Sequence, residues 1–415
     1  MSANRQSNKY NLWIILGITL LNAIGLTMVF PLFPFLLQEY LPQSQVVLGL
    51  SLLVSVYAAC QFFAAPVFGA MSDRYGRRPI LIVSLIGSAV GYLFLGVGGA
   101  LWVLFLGRII DGITAGDITT LFAYITDSTT EKDRTKWFSY LGGTIGVGTI
   151  IGPAIGGLLG AVSISLAFYV TAGLTLVSAI CVYFFLPESL APEKRSKAFT
   201  ARHLNVFSHF KDVFVLKEAR TLLIIGFFFF VGLILYQMNL SIFLKDVFTW
   251  GPGAIGGLLS LIGVCDIVSR TIVLPQLLKK FSVRSIGTFG LSMLAFGLAL
   301  VCLSAYVVSI PLLLAAVICI TLGEGFFDPP YNTLLSTSVD DSKQGLLQGV
   351  NQSLQSGYRA VVPLVAGGIY FFSHSLVYAI ASFLVICAIV LFSKTQKMDD
   401  TSVDTSLAEA LRQES

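Results

Sequence analysis

The stretch Trp137–Pro187, WFSYLGGTIGVGTIIGPAIGGLLGAVSISLAFYVTAGLTLVSAICVYFFLP, contains no charged side chain. At 1.5 Å of rise per residue, it is long enough for two helical passes through a hydrocarbon layer about 30 Å thick, each needing roughly 20 residues. Lipid cannot satisfy open backbone groups, so both passes must be helices. Leu12–Gln38 and Val47–Ser72 are uncharged in the same way. Working outward, apolar spans begin near residues 12, 47, 80, 101, 138, 163, 221, 253, 286, 310, 346 and 375. The sequence predicts an all-α polytopic membrane protein with 12 transmembrane helices. Composition agrees: 12% of the 415 residues are charged, about half the share of a soluble domain. Mean hydropathy is +0.84.

Charge placement sets the topology. Apart from Lys245, every Lys and Arg outside the spans lies on the side that holds the N-terminus. The positive-inside rule then puts both termini in the cytoplasm, which requires an even number of spans. The first apolar stretch has no small-residue cleavage site and reads as a retained helix. The six cysteines (60, 181, 265, 302, 319, 387) lie in predicted helices and read as buried apolar residues, with no disulfide or metal expected. The three histidines (203, 209, 374) fall in loops. No metal-ligand cluster, phosphate loop or nucleophile–base set is visible, so neither an enzyme nor a cofactor is expected. The partners expected are a small-molecule substrate and the bilayer, not nucleic acid, for a chain acting as a monomer in the inner membrane.

The chain divides into residues 1–187, a first six-helix bundle; 188–220, a basic cytoplasmic linker; 221–394, a second bundle; and 395–415, a polar tail. In the linker, Leu204, Phe207, Phe210 and Phe214 recur at helical spacing, which predicts an amphipathic helix on the inner leaflet. The bundles look duplicated. Gln61–Pro66 matches Arg270–Pro275 at an offset of 209, while Gly112 and Asp117 match Gly323 and Asp328 at 211. Gly156-Gly157 and Gly367-Gly368 keep the offset of 211. Such repeats imply a transporter whose substrate binds between two pseudo-symmetric halves.

Four motifs follow. Gly69-Ala-Met-Ser-Asp73-Arg74-Tyr-Gly76-Arg77-Arg78 closes span 2, and Leu104-Phe-Leu-Gly-Arg108-Ile-Ile-Asp-Gly112 lies in span 4. Gly148-Thr-Ile-Ile-Gly152-Pro153-Ala-Ile-Gly156-Gly157 lies in span 5, and Gly25 precedes Pro31 and Pro34 in span 1. Together they resemble the major facilitator superfamily and, within it, the twelve-span drug/proton antiporters. The wording Gly-Arg-Ile-Ile-Asp-Gly-Ile-Thr is most similar to the tetracycline-resistance branch. The resemblance implies a major facilitator fold and a gate in which Asp73 caps a helix of the other half near Gln344. It also implies that the arginine of this motif meets Asp127. Each motif has a plainer reading: arginines enforce topology, and small residues at four-residue spacing let helices pack closely.

Ionisable groups inside the membrane cost several kcal/mol unless paired or hydrated (on the order of 3 kcal/mol each). Arg108 and Asp111 are three apart and can pair, as can Asp266 and Arg270 at four. Glu324 and Asp328 share a face, and Arg359 needs a carboxylate from another helix. Asp328 before Pro329-Pro330 suits the cap of a restarted helix. Asp117 has no partner in its own neighbourhood, so it is the best proton carrier of the first half, with Arg108–Asp111 as a fixed element beside it. Asp111, Glu324 and Asp328 are the other proton-coupling candidates. A substrate cavity would be lined by Asn22, Phe30, Tyr57, Gln61, Tyr236, Gln237, Asp266, Arg270 and Arg359.

The resemblance also has departures. It implies acids in spans 1, 3 and 9, where this chain reads Asn22, Gly91 and approximately Phe296. The histidine and glutamine it implies in span 8 read Asp266 and Arg270. The expectation is a proton-coupled exporter of small amphipathic compounds whose cargo is not tetracycline. Its rivals are an uncoupled facilitator or metabolite importer and, from another class, a non-transporting sensor or lipid scramblase.

Overall fold

The computed structural model describes residues 2–195, 217–339 and 341–394. The expected linker helix at Leu204–Phe214 and the tail after residue 394 lie outside the described residues. In chain order the helices are α1 (Ser2–Met28), α2 (Phe33–Gln38), α3 (Gln43–Tyr75), α4 (Arg77–Val97), α5 (Leu101–Thr114), α6 (Asp117–Ser128), α7 (Glu131–Val162) and α8 (Ile164–Phe185). The later ones are α9 (Lys217–Phe248), α10 (Pro252–Val268), α11 (Leu274–Leu278), α12 (Val283–Ser304), α13 (Ile310–Thr337), α14 (Asp341–Phe372) and α15 (Leu376–Lys394). A π-helical turn, Ser269–Val273, joins α10 to α11.

Local chemistry sets several of these boundaries. Gly76 separates α3 from α4 at φ +105°, a conformation that L side chains rarely adopt. Ser163 and Ser282 cap α8 and α12 by accepting the backbone N–H of Leu166 and Ser285. Pro311 opens α13 at a position where a missing N–H costs nothing.

Lipid shows as the solvent in the pattern of α8. Its exposed face carries Leu176, Ile180 and Phe184, at 47%, 46% and 71% exposure. Its buried face carries Thr171, Thr175 and Ser178, whose hydroxyls donate to carbonyls four residues back. Apolar outside and hydroxyl inside inverts the order of a water-soluble helix.

Among the described residues, 10 helices are long and apolar enough to cross a membrane. Two expected spans are missing from that set for different reasons. The span beginning at 101 is not continuous, because Ala115–Gly116 interrupts it between α5 and α6. A Cβ on Gly116 would strike the Phe68 ring, so α3 passes tightly against the break. The span beginning at 346 is the unbroken helix α14, made polar by Gln348, Asn351, Gln352, Gln355 and Arg359.

The chain forms two compact units. The first holds α1 to α8 together with Thr249–Ser260; the second holds α9 and the helices from Leu261 onward. The first core joins Leu12, Ile15, Leu85, Tyr124, Leu141 and Val182. The second is aromatic, with Phe327 packed between a tilted Phe229 at 4.6 Å and an edge-on Phe392 at 5.6 Å between ring centroids. All six cysteines are free and half-buried.

Candidate functional site: two charged clusters and a cytoplasmic latch

Arg108 and Asp111 form the ion pair that their spacing predicts, Nη1 to Oδ2 at 2.9 Å, with side chains 5% and 2% exposed. The Arg108 guanidinium also lies 3.9 Å from the Tyr57 ring centroid and 5.3 Å from that of Phe33. Rings on α2 and α3 thus supply cation–π contacts, which strengthen once water is excluded. Ser88 of α4 bonds the Asp111 carboxylate. The crossing of α4 and α5 is tight here: a Cβ on Gly91 would come 2.7 Å from the Gly107 carbonyl and 2.8 Å from Asp111 Cβ. Position 91 therefore has no room for an acidic side chain, and Asp111 fills the place.

Asp117 differs from the sequence expectation. It opens α6 directly after the break, where a carboxylate complements the positive end of the helix. Asn22 of α1 donates to it through Nδ2. The acid that looked least structural thus begins a helix and ties α1 to α6. The sequence concealed this because the partner lies 95 residues away.

The second unit gathers more charge. Arg270 bonds Asp266 at 2.7 Å, Asp328 at 2.8 Å and Glu324 at 3.4 Å. Asp266 and Arg270 are therefore not a self-contained pair, which corrects the sequence reading. One guanidinium faces three carboxylates, and its side chain is 28% exposed against 5% for Arg108. Arg270 sits on the π turn just before Pro275, which cannot donate to the carbonyl four residues back, and the helical ladder loosens there. Gly325 makes the approach possible, since a Cβ on it would strike Ser269 Oγ. Asp328 caps no restarted helix: α13 runs unbroken through Pro329 and Pro330. Instead it binds Arg270 and accepts from Asn332 Nδ2 at 3.0 Å.

The remaining cavity residues scatter. Phe30 and Gln237 are exposed and Gln61 half-buried, whereas Tyr236 is 3% exposed and packs edge-on against Tyr378. Tyr236 is therefore a core residue of the second unit rather than a lining one. Arg359 is exposed, and no carboxylate among the described residues pairs with it. Water can solvate an exposed guanidinium where a buried one would need an acid. Phe296 is 59% exposed on α12 and adds nothing to either cluster.

The loop motif forms a latch between helix ends. Arg77 is 7% exposed and reaches Asp127 through Nε at 2.9 Å and Asp73 through Nη1 at 2.6 Å. It also donates to Ser72 Oγ at 2.7 Å. Gly69 and Gly76 frame this turn, and Arg74 stacks over Tyr75 at 5.3 Å. The side chain of Gln344, the expected partner of Asp73, lies outside the described residues. Sequence reasoning missed Glu188. Its carboxylate accepts the backbone N–H groups of Arg77 at 2.8 Å and Arg78 at 3.2 Å, capping α4. An acid directly after Pro187 in a basic linker was the available signal.

The span 5 glycines serve packing. A Cβ on Gly148, Gly152 or Gly156 would collide with Ala23, Thr27 or Met28 of α1. Thr27 Oγ1 bridges the two helices by donating to the Gly148 carbonyl at 3.0 Å. On another face, Gly157 and the Pro153 carbonyl meet Gly253 and Gly256, residues that group with the first unit.

Comparison with known proteins agrees with this architecture. The family model described as Major Facilitator Superfamily matches residues 15–363. The class H tetracycline resistance protein of Pasteurella multocida is 34% identical over 363 residues, 87% of this chain and 89% of the relative. The class D tetracycline resistance protein of Salmonella ordonez is 33% identical, over 86% and 89% of the two chains. Among solved structures, the nucleoside transporter NupG superposes with a TM-score of 0.75 at 13% identity, over 93% of this chain and 100% of that one. The human organic anion transporter MFSD10 gives 0.69 at 20% identity, over 93% and 99%. These two share the fold. With a family model spanning most of its length and relatives above 30% identity, this multi-pass membrane protein belongs to the Major Facilitator Superfamily of transporters.

Proposed function

We propose that the chain is a proton-coupled exporter of small amphipathic compounds, working by alternating access in the cytoplasmic membrane with both termini inside. The observation that carries this reading is Arg270 held by three carboxylates at membrane depth. One cation cannot neutralise three anions, and isolated charge in hydrocarbon is expensive. The surplus is a place for a proton or for a cationic group of the cargo. Glu324, with the longest contact to Arg270, is the acid most readily released, and it carries the proton. Loading it removes one of the guanidinium's partners and so changes what holds α13 against the π turn. The sealed pair Arg108–Asp111 stays fixed throughout.

Relatives named for tetracycline resistance support a drug as cargo. The filled space at Gly91 and the outward Phe296 favour a cargo other than tetracycline. The basic loops on the N-terminal side support the orientation.

The test uses proteoliposomes with an imposed pH gradient and ethidium as the cargo probe. Glu324→Gln should abolish uphill accumulation while keeping ethidium counterflow. Wild-type flux that ignores the gradient would make the protein an uncoupled facilitator and overturn the reading.

A further inference from the structure

Among the described residues of the second unit, two buried hydroxyls have no partner. Tyr236 on α9 and Tyr378 at the start of α15 are 3% and 0% exposed, and neither phenol oxygen makes a hydrogen bond. Buried hydroxyls are rarely left so, and an orphan marks an ordered water or a transient partner. The two rings meet edge to face with centroids 6.4 Å apart.

What lies at either end gives the pair a direction. On one side, Glu324 is the carboxylate within electrostatic reach of Tyr236. Glu324 in turn pairs with Arg270, which also holds Asp266 and Asp328. On the other side, Tyr378 is within electrostatic reach of Tyr236, Tyr370 and Asp246. Tyr370 is 2% exposed and donates to Asp246 Oδ2 at 3.2 Å. Asp246 is half-buried near the end of α9, beside Lys245. Exposed His374 stacks on the Tyr370 ring at 4.7 Å. From Asp246 to Tyr236, ten residues along α9, the rise is about 15 Å. The seam begins at a half-buried acid and an exposed histidine, and it ends at the acid cluster. Between those ends it offers the Tyr378 and Tyr236 hydroxyls, with Phe243 packed edge-on against the Tyr378 ring.

We propose that Asp246, Tyr370, Tyr378 and Tyr236 form a proton relay that delivers protons to Glu324 from the Lys245 end of α9. The relay rests on the proton coupling proposed above. At each step one O–H bond forms as another breaks. A proton taken up at Asp246 passes to the Tyr370 oxygen while Tyr370 releases its own proton onward. Water molecules at the two orphan hydroxyls bridge the gaps, and Tyr378 and Tyr236 act in turn. The last transfer protonates the Glu324 carboxylate, which becomes neutral. One positive charge has then moved, no tyrosine is left ionised, and rotation about each C–O bond resets the chain. The route stays within the second unit, so it needs no open cargo pathway to load the proton.

A packing role for these tyrosines makes a different forecast, because phenylalanine keeps the ring and removes only the hydroxyl. The experiment follows the infrared carboxyl band of protonated Glu324, identified by its absence in Glu324→Gln, in full-length protein in liposomes. A pH jump is applied on the Lys245 side. Tyr236→Phe and Tyr378→Phe should each slow appearance of the band at least about tenfold, the scale of a lost proton-transfer group. Tyr331→Phe, which removes a buried hydroxyl bonded to Asn351 outside the seam, should leave the rate at its parental value. A band that appears at the parental rate in the Tyr236→Phe, Tyr378→Phe double variant overturns the relay and leaves the coupling reading intact. A wild-type protein with no such band overturns Glu324 as the carrier, and the relay with it.

Discussion

The two units each bury an arginine among acids, yet they solve the charge problem differently. Arg108 has one acid, two aromatic rings and 5% exposure. Arg270 has three acids, no cation–π ring among the described residues, and 28% exposure. The first arrangement is balanced in charge and dry, with Arg108 Nε left as its one unpartnered donor among the described residues. The second is unbalanced and reachable by water, and proton or cargo can alter its bonding. Backbone geometry follows the same division. Arg108 lies on a regular α-helical turn, whereas Arg270 lies on a π turn, a local weakness often found at working sites. The two arginines are not repeat counterparts: Arg270 matches Gln61 at an offset of 209, and the position 211 residues after Arg108 is Cys319.

The largest effect that would sharpen this contrast comes from the balanced pair. Arg108→Gln alone strands Asp111 at 2% exposure, and chemical unfolding in detergent should show a loss of about 3–5 kcal/mol. Arg108→Leu combined with Asp111→Leu should regain most of that, because an isolated ion pair is near neutral against apolar substitutes. If the double variant unfolds as readily as the single, the pair is not self-contained and the contrast breaks.

The same manipulation in the second unit should fail. Replacing Asp266 and Arg270 together by Asn and Gln leaves Glu324 and Asp328 without a cation. Stability should stay roughly 2 kcal/mol below the parent, less than for the dry pair because these groups keep some water. Dye efflux from cells should be lost, so that the dye accumulates inside. Recovery of both stability and transport would mean that the four-membered cluster is no more than the sequence-adjacent pair.

The smallest effect concerns the latch. Glu188→Gln weakens the cap on α4 and should cost about 1 kcal/mol. Asp73→Asn, with a side chain already 56% exposed, should cost less still, since Arg77 keeps Asp127. Thermal unfolding measures both, and Asp73→Asn should slow transport more than it lowers stability. The reverse order would make the latch purely structural.

Much of this was legible in the chain itself. The apolar spans, the charge bias and the Arg108–Asp111 pair depend on neighbours within a few residues, and period and spacing report those directly. Three features were not. Asp117 takes its partner from α1, and Arg270 takes two of its three acids from α13. Glu188 caps a helix whose start lies 111 residues earlier. Each joins residues far apart in sequence, and spacing along one helix carries no information about a contact between helices. The break before Asp117 was hidden for a related reason: Phe68 on α3, far away in sequence, packs against Gly116 and decides the path of the backbone.

The long uncharged runs by themselves determined that this is a helical membrane protein, because a run of roughly 20 apolar residues matches a helical pass and is twice a strand's length. The motifs by themselves determined the family. Only the tertiary structure decided which charges are balanced and which are not. A buried group's charge state depends on every partner within a few ångströms, and α13 meets the π turn only because Gly325 leaves it room.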